Sequence, residues 1–159
     1  MAKKMKQEVQ DYVFKDVKEE VKLSELFGKK DELVLIHNMG SHCTYCTMWA
    51  DGFNGVLPHL EDRAAFVVVS SDSPALQSKF AKSRNWKFKM VSAEISFAKA
   101  MGFFSKGFMP GVSVFQKKGG KIYRVAKDYF GPGDKYCGVW HLFSLLPKGS
   151  DKWEPKFKY

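Results

Sequence analysis

The sequence predicts an α/β fold in which helices cover both faces of a central mixed sheet. Three patterns predict it: two uninterrupted apolar runs typical of buried strands, helical periodicity after each run, and a Gly-Gly turn between two later strands. We therefore expect a β-α-β-α half, then a β-hairpin and a C-terminal helix. The chain has 159 residues, of which 45% are hydrophobic, so we expect a single domain over 1–159.

The first half of the chain is expected to alternate helix and strand. Val13, Val17 and Val21 recur at helical spacing, which favours an N-terminal helical extension over 1–28. The two apolar runs give strands at 33–37 and 65–70. Each strand is followed by a helix, the first at 43–60, kinked near its glycines, and the second at 73–85.

The second half is expected to contain a short strand, a helix, the hairpin and a last helix. These elements are predicted at 88–92, 94–101, 112–115 with 121–125, and 136–146. The basic aromatic tail, 150–159, is interpreted as a terminal segment that is either packed through Trp153 or disordered.

Charge and N-terminal composition narrow the function classes. The net charge is +9, but the lysines are scattered along the chain, which argues against a nucleic-acid interface. The first residues are charged and lack an apolar stretch, so we expect no signal peptide, no membrane segment and a cytoplasmic location. No cofactor is predicted.

Cys43 and Cys46 are the strongest chemical feature. They follow the first buried strand and lie at the start of the predicted helix, where unpaired N–H groups and the helix dipole stabilise a thiolate. Cys43 is therefore predicted to be the nucleophile. Cys46 lies one helical turn further on and is predicted to resolve a mixed disulfide formed at Cys43. The third cysteine, Cys137, is interpreted as a buried apolar residue.

Other residues are candidates for supporting roles. His42 precedes the nucleophile and His37 ends the strand, so either could tune a thiol or carry a proton, although a structural role is the commoner one. Trp49 and Asp51 lie on the dithiol helix. Trp49 is expected beside Cys46. Asp51 could be a buried base for Cys46, but the preferred interpretation is a surface or capping carboxylate.

A proline also precedes a core strand, in the sequence Met109-Pro110-Gly111. The dithiol and this proline together resemble the arrangement of a thioredoxin-like fold, and that resemblance implies a cis bond before Pro110 and a position facing the dithiol. The backbone of the preceding residue, here Met109, is then free to pair with an extended substrate.

The chain resembles a bacterial thioredoxin-like family named domain of unknown function 899, which is related to the alkyl hydroperoxide reductase and thiol-specific antioxidant group. The residues that carry the resemblance are 43–53, 59–60, 68–70, 74–76, 85–88 and 110–115. The resemblance implies a thioredoxin-like fold and thiol chemistry. A typical peroxiredoxin has a threonine three residues before its reactive cysteine, whereas this chain has Gly40 before Cys43, and Cys43 before Cys46.

Three functions remain open. The leading hypothesis is a thiol-disulfide oxidoreductase that acts on a disulfide protein or a small oxidant; a peroxiredoxin-like peroxide reductase is the variant of it. The second is a zinc-binding or non-catalytic protein that uses Cys43, Cys46, His42, His37 and His59 as ligands. The third is an interaction protein whose dithiol is structural.

Overall fold

The computed structural model describes residues 2–159 and contains an eight-stranded mixed sheet with helices on both faces. The strands are β1 Lys3–Val9, β2 Val13–Lys15, β3 Glu20–Lys22, β4 Glu32–His37, β5 Ala65–Ser70, β6 Lys89–Ser92, β7 Gly111–Lys118 and β8 Lys121–Tyr129. The helices are α1 Leu23–Leu26, α2 Thr44–Gly55, α3 Leu57–Arg63, α4 Pro74–Arg84, α5 Ile95–Met101 and α6 Gly138–Phe143. The strand order is β1-β8-β7-β4-β5-β6-β2-β3.

The centre of the sheet confirms the predicted fold class. β4 and β5 are parallel and are joined through α2 and α3, and β5 and β6 are parallel and are joined through α4. β7 is antiparallel to β4 and forms the hairpin with β8. Gly119 and Gly120 make the hairpin turn with φ angles of 59° and 75°, a conformation that glycine adopts without steric cost.

The side chains of β4 divide the interior into two apolar clusters, because successive residues of a strand point to opposite faces of the sheet. Leu33 and Leu35 belong to the α5 face, whose other members include Phe97 and Phe103. Ile36 belongs to the α2 face, whose other members include Cys46 and tryptophans 49, 86 and 140; Cys43 packs against this cluster. The dithiol therefore lies on the α2 face of the sheet.

The predicted helical extension over 1–28 is wrong. This segment forms β1, β2 and β3, and only four of its residues are in a helix, α1. Val13 and Val17, which suggested the helix, are 54% and 62% exposed. Phe14 and Val21 are buried between exposed neighbours, so the period-2 pattern of the strands decides the structure.

The predicted helix over 43–60 is two helices, α2 and α3, which meet at Val56. Pro58 lies in the first turn of α3, where its missing N–H is tolerated, whereas inside a continuous helix it would remove a hydrogen bond and clash with the preceding turn. The last helix is also shorter than predicted, at Gly138–Phe143.

The C-terminal tail is packed through Trp153, as one of the two interpretations proposed. The ring of Trp153 contacts those of Trp140 and Phe143, at centroid distances of 5.7 and 4.9 Å. Further along, the Arg84 guanidinium donates to the Phe157 carbonyl at 2.7 Å. The tail is thus tied both to α6 and to α4.

Gly111 gives a stability prediction. A Cβ at this position would overlap the Phe103 ring and the Asp128 carbonyl oxygen, so we expect Gly111→Ala to lower the free energy of unfolding by about 1–3 kcal/mol. Gly52 is the matched control: it lies inside α2 with no atom close to its missing Cβ, so Gly52→Ala should stabilise the protein by about 0.5–1 kcal/mol. Urea unfolding of both variants checks this. Equal effects of the two substitutions would contradict it.

Candidate active site

A five-residue loop, 38–42, carries the chain from the end of β4 to the dithiol helix. The Asn38 side chain accepts the Gly40 N–H at 2.8 Å, and the Gly40 carbonyl accepts the Cys43 N–H at 3.1 Å. Gly40 has a φ of +116°, a conformation that favours glycine. These contacts place Cys43 at the N-cap of α2.

The structure brings the two predicted thiols together. Cys43 and Cys46 approach to 2.7 Å, and the Cys46 N–H donates to the Cys43 sulfur at 3.0 Å. Cys46 is buried and its sulfur accepts the Met39 N–H at 3.4 Å, whereas Cys43 is only partly buried. Cys43 is therefore the more accessible thiol, as its predicted role as nucleophile requires. All three cysteines are unbridged.

The environment moves the pKa values of the two thiols in opposite directions. A hydrogen bond from the Cys46 thiol, helped by the N–H groups of Cys46 and Tyr45, lowers the pKa of Cys43 to about 7 against the opposing effect of burial. The same hydrogen bond, then burial and then the charge on Cys43, raises the pKa of Cys46 well above its ordinary value. At neutral pH about half of the Cys43 side chains are therefore thiolate, while Cys46 stays a thiol.

Aromatic side chains cover the dithiol on the α2 face. Trp49 is 3% exposed and belongs to the same cluster as Cys46, as expected from their helical spacing. Its ring contacts that of Phe130 at a centroid distance of 5.4 Å, and its indole N–H donates to Asp134 at 3.3 Å. Tyr45, between the cysteines, stacks on Trp140. Trp49 thus anchors α2 to the loop after β8.

The Asp51 carboxylate points to other partners than the thiols. It pairs with the Arg84 guanidinium and accepts the indole N–H of Trp86 at 2.8 Å. These contacts join α2 to α4, and the Asp51 side chain stays partly exposed. Its proposed role as a base for Cys46 finds no support in these contacts.

The two histidines occupy different environments. His37 is 5% exposed, stacks on Phe103 at 3.9 Å between centroids, and contacts the Ser113 hydroxyl at 2.9 Å. Burial, followed by the charge of Arg124, lowers the pKa of His37 to about 3, so its ring is neutral. Since Phe103 belongs to the α5 face, the sheet separates the His37 ring from the dithiol. His42 is exposed and stays beside Cys43.

Pro110 lies at the same end of the sheet as the dithiol, since the next residue, Gly111, pairs with His37. The expected cis bond is wrong, because every peptide bond within residues 2–159 is trans, the ordinary preference even before proline. The Met109 N–H is also not free for a substrate, because it donates to the Phe103 carbonyl at 2.9 Å. The Met109 N–H is therefore already paired within the protein.

The zinc alternative finds no ligand set. Across residues 2–159, no three His, Cys, Asp or Glu side chains are grouped so that they could hold a metal ion. His37 faces the other side of the sheet, which removes one of the proposed ligands.

The helices within residues 2–159 are all too short or too polar to span a bilayer.

Sequence reasoning missed two residues of the site, Asn38 and Asp72. Asp72 follows β5 and accepts the Ser41 N–H at 2.8 Å. A signal for Asp72 was available: β4 and β5 are adjacent parallel strands, so the loops after them meet at one edge of the sheet. For Asn38 the signal was its position directly after a buried strand.

Comparisons with solved structures reveal a shared fold. Peroxidoxin BcpB from Mycobacterium tuberculosis matches with a TM-score of 0.68 and 22% identity, over 85% of this chain and 90% of that one. A mutant of peroxiredoxin Q from Xanthomonas campestris matches with a TM-score of 0.63 and 17% identity, over 75% and 80%. Reduced Prx3 from Vibrio vulnificus matches with a TM-score of 0.62 and 16% identity, over 81% and 88%. The fold is therefore thioredoxin-like.

At the level of sequence, no curated protein matches this chain. Residues 5–158 match the family described as "Bacterial protein of unknown function (DUF899)", which is nearly the whole chain and includes the dithiol. The chain belongs to this family.

Proposed function

We propose that this protein is a thiol-disulfide oxidoreductase in which Cys43 attacks and Cys46 resolves. The observation that carries the proposal is the hydrogen bond between the two cysteine side chains at the start of α2, with the Cys46 N–H also donated to the Cys43 sulfur. A thiolate at a helix N-terminus is the nucleophile of disulfide exchange. The proposed substrate is a disulfide protein or a small oxidant, in a cytoplasmic setting.

The reaction proceeds in two exchanges. The Cys43 thiolate attacks one sulfur of the substrate disulfide, forms a mixed disulfide and releases the other sulfur as a thiolate. Cys46 then loses its proton to the substrate thiolate released first or to solvent, and attacks the Cys43 sulfur, which forms the Cys43–Cys46 disulfide and releases the second substrate sulfur as a thiolate. The substrate gains two electrons and the cysteine pair loses two.

The interaction between the two thiols keeps Cys46 protonated until the first exchange has taken place. In the resting pair the hydrogen bond to Cys43 and the charge on Cys43 hold the pKa of Cys46 high. Once Cys43 is in a mixed disulfide, its charge is gone and its sulfur no longer attracts the Cys46 proton. The pKa of Cys46 then falls, and the remaining Met39 N–H stabilises the new thiolate.

Peroxide reduction is the second candidate, and the peroxiredoxin fold of the similar structures favours it. The Cys43 thiolate would attack the peroxide O–O bond, releasing an alcohol or water and leaving a sulfenic acid. Cys46 would condense with that sulfenic acid and release water. Against it, the Thr47 hydroxyl donates to the Cys43 carbonyl at 2.8 Å, so this nearby hydroxyl is used away from the sulfur.

Single-cysteine variants test the roles. We expect Cys43→Ser to lower the rate of insulin disulfide reduction at least about a hundredfold, because the nucleophile is lost. Cys46→Ser should instead accumulate a mixed disulfide on Cys43, detected by mass spectrometry with an aromatic disulfide reagent. Cys137→Ser is the control: burial raises the pKa of Cys137, and the rate should stay within about twofold. Full insulin reduction by Cys43→Ser would refute the proposal, and turnover with hydrogen peroxide but not insulin would favour the second candidate.

The pH dependence of Cys43 provides a separate prediction. Only the thiolate reacts with iodoacetamide, so the alkylation rate at Cys43 should rise with pH and reach half its maximum at about pH 7. Cys46→Ala removes the thiol donor that lowers this pKa most, so the midpoint should rise by about one unit, towards the ordinary value near 8.5. Cys46→Ser keeps an O–H donor and should shift the midpoint less. Peptide mass mapping follows Cys43 alone, and identical midpoints for the Ala and Ser variants would contradict the assigned cause.

A further inference from the structure

The loop that presents Cys43 rests on an acid from another part of the chain. Asp72 lies in the connection between β5 and α4, and its Oδ2 accepts the Ser41 N–H at 2.8 Å. A hydrogen bond to a charged acceptor is stronger than one between neutral groups. This contact is 31 positions apart in sequence and ties the dithiol loop to the next loop at the same edge of the sheet.

The same carboxylate lies directly against Gly40. A Cβ on Gly40 would be 3.0 Å from Asp72 Oδ1 and 3.2 Å from His42 Nδ1. The carboxylate and the imidazole therefore flank one point on the backbone, three residues before the nucleophile. The φ of +116° favours glycine here, and the close approach means that any Cβ would displace the Asp72 carboxylate or the His42 ring.

Three hydrogen bonds, linked through the backbone of 40–46, connect Asp72 to the reactive sulfur. Asp72 fixes Ser41, and its neighbour Gly40 accepts the Cys43 N–H at 3.1 Å. That bond holds Cys43 in the extended conformation of the N-cap, with φ −92° and ψ 107°, from which its sulfur receives the Cys46 N–H. A loop that moved would take the sulfur out of line with that donor.

We propose that Asp72 is a positioning residue for the dithiol, holding the 40–42 loop so that the Cys43 sulfur stays on the Cys46 N–H. Asp72 acts through Ser41 and Gly40, without touching a sulfur. The inference deepens the proposed function and rests on it for its biological meaning, but its direct consequence is the thiolate content of Cys43 before any substrate binds.

The sign of the effect separates positioning from simple charge. Titratable groups close to Cys43 include Cys46 and Tyr45 on α2, His42 on the loop, and Asp72 from the β5–α4 connection. Acting through its charge alone, the Asp72 carboxylate would disfavour a nearby thiolate, so its removal would lower the pKa of Cys43. Acting as a positioning residue, it favours the thiolate, so its removal raises that pKa.

The test is the pH profile of Cys43 alkylation by iodoacetamide, followed by peptide mass mapping of the full chain. Asp72→Ala should raise the midpoint by about one unit and slow alkylation at pH 7 about five- to tenfold. Asp72→Asn keeps an oxygen that can accept the Ser41 N–H and should stay close to the unsubstituted protein. Asp62→Ala, on the exposed side of α3, is the matched control and should change nothing. An unchanged or lowered midpoint in Asp72→Ala, or an equal rise in Asp72→Asn, overturns the proposal.

Two further arms keep the outcome decisive. If Asp72→Ala does not fold, Asp72→Ser replaces it, because serine suits a loop that already contains Ser71 and Ser73 but is too short to reach Ser41; the same rise in midpoint is expected. Alkylation needs no substrate. A protein with the predicted profiles that reduces no disulfide would refute the proposed function and leave the role of Asp72 intact, whereas an active protein with an unchanged Asp72→Ala profile would refute that role alone.

Discussion

The hydrogen bond from the Cys46 amide to the Cys43 sulfur connects the chemistry of this chain to its fold. It exists because α2 begins immediately after Cys43, so that the first free N–H groups of the helix point at that sulfur. The start of α2 is in turn fixed by the turn at Gly40 and by the end of β4. The position of the reactive thiolate therefore depends on the central parallel strands and on the loops that follow them.

The two faces of the sheet give the dithiol and the His37 ring different surroundings. On the α2 face, Cys46 is buried in the cluster that contains Trp49 and Phe130, whereas Cys43 is only partly buried, which is the asymmetry that an attacking and a resolving thiol need. On the α5 face, the neutral ring of His37 is stacked on Phe103. In the sequence, His37 and the two cysteines follow one another closely at the end of β4. In the structure, the sheet separates the His37 side chain from both thiols.

The sequence predicted the parts whose signal is local. The apolar runs of β4 and β5, the Gly-Gly hairpin turn and the cysteine pair at a helix start are each encoded within a few neighbouring residues. The N-terminal strands were missed because Val13 and Val17 mimic a helical stripe, although both are exposed. Asp72 was missed as part of the site because its partner, Ser41, becomes a neighbour only when β4 and β5 pair. The only signal for this contact was the predicted β-α-β unit, which brings the loops after β4 and β5 to one edge of the sheet but does not specify which side chains meet there.

The packing of Trp49 has a practical consequence. Its indole lies in the same apolar cluster as Cys46, one helical turn away; Trp86 and Trp140 belong to that cluster as well, and Trp153 packs against it. Oxidation of the dithiol is therefore expected to change the tryptophan emission of the unlabelled protein. Reduction and oxidation can then be followed continuously, in solution, without attaching a dye to either cysteine.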